Sequence, residues 1–292
     1  MFAPTSIKFT ARRKFSHVKR LGLGLAVVTG MCAAEPAWQD EFNQPLNSAP
    51  VAATWSYDLG AGGWGNAELE NYTNGRENSF VADDPDATDG RVLVIRAVKT
   101  TQGGYTSARI KSTGKFSTQY GRLEARMKLP RGQGLWPAFW MLGENIASAG
   151  WPECGEIDIL EVLGHQPGIL YGTLHGPGTG GHYYNGSSMT LPNSASFSDA
   201  YHVFAIEWMP GRIDWWMDGT KYFSLKSTDL ASGNRWVLDV GPFFVILNLA
   251  VGGSWPGNPD GTTTFPAELR IDYVRYYARL PRSSLWPMTP AP

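Results

Sequence analysis

The strictest pattern in the chain is Gly121–Leu129, GRLEARMKL, in which Leu123, Ala125, Met127 and Leu129 alternate with Arg122, Glu124, Arg126 and Lys128. A period of two puts each set on one face of an extended segment, whereas the faces of a helix recur every three to four residues. The segment therefore reads as a half-buried antiparallel strand. Val92–Ala97, Pro137–Leu142, Glu156–Leu163, Ile169–His175, Tyr201–Trp208, Arg212–Met217, Phe243–Ala250 and Arg270–Ala278 read as further strands. Asp218-Gly219, between two apolar runs, marks a hairpin turn. Gly60–Gly65, Gly176–Gly186 and Val251–Gly261 read as loops, and no long stretch carries a helical stripe. The 34 Gly and 20 Pro follow no Gly-X-Y period, which excludes collagen and suits many turns. The architecture expected is all-β: one sandwich of two antiparallel sheets over residues 35–279. Leu280 to Pro292, rich in Pro and Ser, reads as a loose tail.

The N-terminus reads differently. Residues 1–34 contain Lys8, Arg12, Arg13, Lys14, Lys19 and Arg20 and no acid, followed by the apolar run Leu21–Met31 and the small residues Cys32, Ala33 and Ala34. The run is too short to span a bilayer and has the length of a signal-peptide core. Arg12-Arg13-Lys14-Phe15 is similar to a twin-arginine export motif, and an ordinary secretory signal fits as well. Cleavage after Ala34 would release a secreted or periplasmic protein with no membrane segment. The remainder holds 19 basic against 26 acidic residues, a net −7. So acidic a body has no electrostatic footprint for nucleic acid. Cys154 would be the one cysteine left, which leaves no intramolecular disulfide to form.

The chemistry is concentrated in Gly155–Leu163, GEIDILEVL. Glu156 and Asp158 share a face of a regular strand, and Glu161 falls on the opposite one. One β-bulge near Ile159-Leu160 would restore its parity and line up three carboxylates. A solvated polar row is the plain alternative. Against it, neighbouring like charges destabilise a sheet, and no Lys or Arg lies between Glu153 and Leu163 to relieve them. Crowded carboxylates raise one another's pKa and can hold a proton near neutrality, as acid–base and nucleophilic work on a glycosidic bond requires. Residues four strand positions apart lie about 13 Å apart at Cα, whereas a retaining pair needs carboxyl groups about 5–5.5 Å apart. The sheet must therefore be curved.

The segment Glu156–Glu161, EIDILE, resembles the signature of glycoside hydrolase family 16 in its bulge-containing form. Trp38–Asn43, Trp64–Glu68, Tyr105–Arg109, Gly134–Leu142, Trp151–Glu156, Gly172–Pro177, Asn248–Pro256 and Ile271–Arg275 extend the resemblance, in order, over most of the chain. The bacterial laminarinases, endo-β-1,3-glucanases, are the most similar subgroup. The resemblance implies a β-jelly-roll with a concave cleft and a retaining mechanism. It implies Glu156 as nucleophile, Glu161 as general acid and base, and Asp158 tuning both. It places Asn66, Arg109, Trp136, Trp140, His175 and Trp255 as substrate-binding residues, with Trp64 and Trp151 nearby. It further implies a structural calcium at Glu41, the Gly90 carbonyl and Asp272, and no cofactor for catalysis.

Each residue has a plain alternative: core packing for the tryptophans, a loop Asn, an ordinary strand Arg, a structural His, a salt bridge at Asp272. His175 and His182 lack the H-E-x-x-H spacing of a catalytic zinc site. After His175-Gly-Pro177, Gly178-Thr179 stands where close relatives carry an aromatic and a Ser, which puts one subsite in doubt. The expected partner is a β-glucan polysaccharide and the expected state a monomer. A mixed-linkage β-1,3-1,4-glucanase, a galactan-cleaving relative and a non-catalytic glucan-binding sandwich remain open alternatives.

Overall fold

The computed structural model describes residues 35–278, so the expected export signal and the C-terminal tail lie outside the described residues. One sheet has eight strands. Its spatial order is Tyr183–Thr190, Ile169–Gly176, Glu156–Glu161, Leu135–Gly143, Phe243–Val251, Arg109–Lys111 and Ser56–Asp58, with Ser117–Thr118 also paired to Phe243–Val251. The other has ten. It runs Thr220–Lys226, Arg212–Met217, His202–Met209, Gly121–Lys128, Ala267–Tyr277, Arg91–Lys99, Tyr105–Ser107 and Glu70–Tyr72, with Trp38–Asp40 and Ser79–Asp83 attached. Pairing is antiparallel except between Glu70–Tyr72 and Tyr105–Ser107. Every strand expected from the sequence forms, with ends shifted by a few residues at most.

The main core lies between the sheets. Leu123, Ala125 and Met127 from the ten-stranded sheet join Phe139, Met141, Ile157, Leu247 and Leu249 from the other. Burying side chains of this size contributes roughly 1.5–3 kcal/mol each. Phe243–Val251 is buried along its whole length. Phe243, Val245, Leu247, Leu249 and Val251 enter the main core, and Phe244 and Ile246 pack outside it with Leu142 and Cys154. The free thiol of Cys154 is pushed up to about 11, first by burial, which leaves it protonated and inert.

Two expectations need correction. Gly121–Lys128 is not half-buried, because Arg122 and Glu124 are as inaccessible as the apolar residues between them. The strand is central, and its polar side chains pair laterally: Arg122 with Glu124 at 2.8 Å and with Glu207 at 3.3 Å. The stretch Gly176–Gly186 is not wholly a loop, because its end begins the edge strand Tyr183–Thr190. That strand hides only Tyr183, so it leaves no hydrophobic pattern to read. Its eight-residue register with Ile169–Gly176 holds it in place through backbone hydrogen bonds.

Candidate active site

The strand Glu156–Glu161 sits between Leu135–Gly143 and Ile169–Gly176. On one side Phe139 faces Leu160 and Trp140 faces Asp158, so Ile159 is the extra residue. On the other, Asp158 faces Thr173 and Glu161 faces Tyr171, three steps against two. This is the bulge that the acidic spacing requires. Ile157, Ile159 and Leu160 all enter the core, and Glu156, Asp158 and Glu161 share the outer face. The core therefore sets the register: a slip of one residue would bring a carboxylate into the apolar layer. Trp215 of the opposite sheet donates its indole N–H to the Asp158 carbonyl at 2.8 Å, where the bulge begins. Gly172 makes room for it, because a Cβ there would stand 2.6 Å from the Trp215 ring and 2.4 Å from the Tyr222 hydroxyl.

No Arg or Lys among the described residues forms an ion pair with these acids; their nearest basic group is His175, whose Nε2 lies 3.2 Å from Asp158 Oδ2. Burial, then the charge of Asp158, pushes Glu156 up to about 8. Burial raises Asp158 to about 7, against a hydrogen bond with Glu156. Glu161 is held well above its ordinary range by burial and by both neighbouring carboxylates, with His175 and Trp136 opposing. Trp151 donates to Glu156 Oε2 at 2.7 Å and Trp136 to Glu161 Oε1 at 3.1 Å, so each outer acid has its own indole donor. All three therefore bind protons more readily than ordinary carboxylates, and as a coupled group they release them one after another.

Aromatic groups stand at both ends of the acidic row. Beside Glu161, Trp255 meets Trp136 edge-on at 5.5 Å and Tyr171 at 5.0 Å, and it is 42% exposed. Beside Glu156, Trp151 lies 4.7 Å from His182, and His175 and His182 stack at 5.3 Å. Tyr184 extends that group toward solvent. Across the sheet, the Arg109 guanidinium stacks on Trp140 at 4.7 Å and Trp64 at 5.1 Å and pairs with Asp58 at 2.9 Å. From Trp140 a chain of hydrogen bonds runs through Asn248, Tyr72 and Glu68 to Asn66. Of the six binding residues expected from the sequence, Trp136 and His175 touch the acids, Trp140 and Trp255 neighbour them, and Arg109 and Asn66 connect to them only through Trp140.

The model of glycosyl hydrolases family 16 matches residues 70–275. The chain belongs to that family. A β-glucanase of Rhodothermus marinus is 40% identical over 83% of this chain and 85% of its own length. A glucan endo-1,3-β-glucosidase of Cryptopygus antarcticus is 37% identical, over 85% and 96%. The crystal structure of the laminarinase catalytic domain from Thermotoga maritima superposes with a TM-score of 0.74 at 45% identity, covering 84% of this chain and 98% of that one.

In a family 16 sandwich the calcium residues can be tested by what already occupies them. Glu41 accepts two hydrogen bonds from Arg275, both 2.7 Å. Asp272 accepts from the Thr88 backbone and hydroxyl and from Arg126 at 2.5 Å. The Gly90 carbonyl accepts from the Asp84 N–H. Calcium needs six to eight oxygen ligands, and both carboxylates here are engaged by arginines. As arranged, these residues do not fit the ion.

Several residues of the site escaped the sequence reading. Glu68 and Asn248 lie inside segments quoted for the family resemblance, but nothing in their spacing marks them. Tyr171 could have been found by alternation, since it shares a face with Thr173 and His175. Trp215, on the other sheet, left no local signal.

Proposed function

We propose that the protein is an exported, monomeric, retaining endo-β-1,3-glucanase acting on laminarin-type β-glucans. The observation that carries the reading is the bulge at Ile159-Leu160, which places three carboxylates with no Arg or Lys partner on one face between aromatic groups. Glu156, once ionised, attacks the anomeric carbon while Glu161 protonates the departing glucosidic oxygen, giving a covalent glycosyl-enzyme. Glu161 then takes a proton from water, which releases the sugar with its configuration retained. The hydrogen bonds support these roles: Trp151 donates to Glu156 and stabilises its ionised form, and burial holds Glu161 well above its ordinary range, as an acid requires. Asp158 shares its charge and hydrogen bond with Glu156. Trp136, Trp140 and Trp255 offer ring faces to the apolar C–H faces of glucose, and Asn66, Arg109 and His175 offer polar contacts. The basic and apolar N-terminus supports export to the periplasm or medium.

The test is release of reducing ends from laminarin, curdlan, lichenan, carboxymethyl-cellulose and agarose. Fast release from laminarin as a mixture of oligosaccharides is expected. Lichenan strongly preferred over laminarin would replace the linkage assignment, and binding without release would leave only a glucan-binding sandwich. In the same culture, the exported protein should begin at Glu35; a full-length chain confined to the cytoplasm would refute export.

A further inference from the structure

Beside the acidic row two polar atoms face one another without a hydrogen bond. Asp158 is buried and its Oδ2 has no hydrogen-bond partner, although His175 Nε2 lies only 3.2 Å away. The other ring nitrogen, His175 Nδ1, is hydrogen-bonded to His182 Nε2 at 3.0 Å. When the proton of that bond belongs to Nδ1, Nε2 turns a lone pair toward the lone pairs of Asp158. In that tautomer two acceptors face one another, an arrangement that a cation satisfies. One Glu156 oxygen completes the group, and the three ligand atoms lie within 4.8 Å of one another.

We propose that Glu156, Asp158 and His175 form a zinc-binding site, and that Zn2+ bound there inhibits the enzyme in competition with glucan. One imidazole nitrogen and two carboxylate oxygens are a donor set that zinc accepts, with bonds of about 2.0–2.2 Å and a fourth position for water. Tetrahedral bonds of that length put ligand atoms about 3.3–3.6 Å apart, which side-chain rotation can reach from the present spacing. The backbone already fixes the pairing, since Glu156 faces His175 and Asp158 faces Thr173 across adjacent strands. His182 acts behind His175 as the outer partner that selects its tautomer. Trp151 binds Glu156 Oε2, and the ion would replace the proton that Glu156 and Asp158 share. Calcium is a poor occupant, because a nitrogen and two oxygens fall short of its oxygen cage. Binding rests on geometry alone; the inhibitory half rests on the glucanase reading, because the ion takes the lone pairs of the nucleophile.

The experiment is calorimetric titration of ZnCl2 into the intact protein, free of any affinity tag and in a non-chelating buffer, with Co2+ as a spectroscopic substitute. One equivalent should bind, and Co2+ should give the visible bands of a four-coordinate site. Laminarin oligosaccharide should displace the ion, and zinc should raise the apparent KM for laminarin and leave kcat unchanged. His175→Gln, checked for folding by circular dichroism, should abolish the stoichiometric binding, and His182→Phe should weaken it about tenfold. No binding to the wild type, or binding that survives His175→Gln, overturns the site. Binding that leaves laminarin cleavage untouched overturns the inhibitory half. A protein that binds zinc in this pattern but cleaves no glucan in its absence upholds the site and refutes the glucanase reading.

Discussion

The two outer faces of the sandwich use the same acidic side chains to opposite ends. On the ten-stranded sheet three buried acids meet arginines: Asp272 with Arg126, Asp84 with Arg270, Asp214 with Arg212. Burial pushes Asp84 up, but hydrogen bonds from Arg270 and Tyr201 outweigh it, and the carboxyl sits below its ordinary range. On the eight-stranded sheet Glu156, Asp158 and Glu161 have indoles and one imidazole as partners, and all three are raised. Burial does not separate the two cases, since Asp158 and Asp272 are equally hidden. The counter-charge does. Asp84, bonded to Arg270, is held ionised, whereas the three acids without an arginine are raised and can keep a proton to give away.

Replacing Glu156, the proposed nucleophile, breaks this comparison most severely. Glu156→Gln should lower laminarin turnover by roughly 10⁴-fold or more, with unchanged circular dichroism. The same variant should gain stability at alkaline pH. The folded value of Glu156, about 8, lies above the ordinary unfolded value of about 4.3. The native state therefore keeps a proton that the unfolded chain releases, and stability falls as pH rises between those values. Glutamine removes that loss. The variant should melt above the wild type at alkaline pH and together with it at about pH 4; a lower melting temperature at alkaline pH would refute the argument, as would retained turnover.

Glu161→Ala should come next. Its loss should be about 10²–10⁴-fold on polysaccharide and much smaller on an aryl glucoside whose leaving group needs no proton. Equal losses on both substrates would deny it the acid role.

Much of this contrast was legible in the sequence, for identifiable reasons. The absence of Lys and Arg around Glu156–Glu161 predicted unrelieved carboxylates, and the five-residue offset of Glu161 required a bulge where one is found. Both are local properties of one strand. The burial of the polar face of Gly121–Lys128 is not legible from the strand alone, because two of its partners, Glu207 and Asp272, come from other strands. A chain alternating in type looks half-solvated until its neighbours are known. Trp215 and the Glu68–Tyr72–Asn248 chain were illegible for the same reason, since each acts across a distance that only the topology closes.

The arginine-paired face offers a smaller effect. Arg126→Met should leave Asp272 buried with only Thr88 as donor, at a cost of about 3 kcal/mol in stability. Activity per folded molecule should remain, because the change lies on the other sheet. A denaturation midpoint within error of the wild type would mean that the pair contributes nothing.

The smallest expected effect is none at all, and it tests the same distinction from the side of the ions. Many carboxylates on a surface invite a cation, and the family resemblance implied calcium at Glu41, Gly90 and Asp272. Those acids already have their cations in Arg275 and Arg126, covalently supplied by the neighbouring strands. Calcium could enter only by displacing guanidinium groups that bind in charge-assisted, near-ideal geometry. Stripping the protein with EDTA and adding calcium back should therefore leave the melting temperature where it was. A rise on re-addition would mean that the arginines give way, and that this face is held by an ion after all.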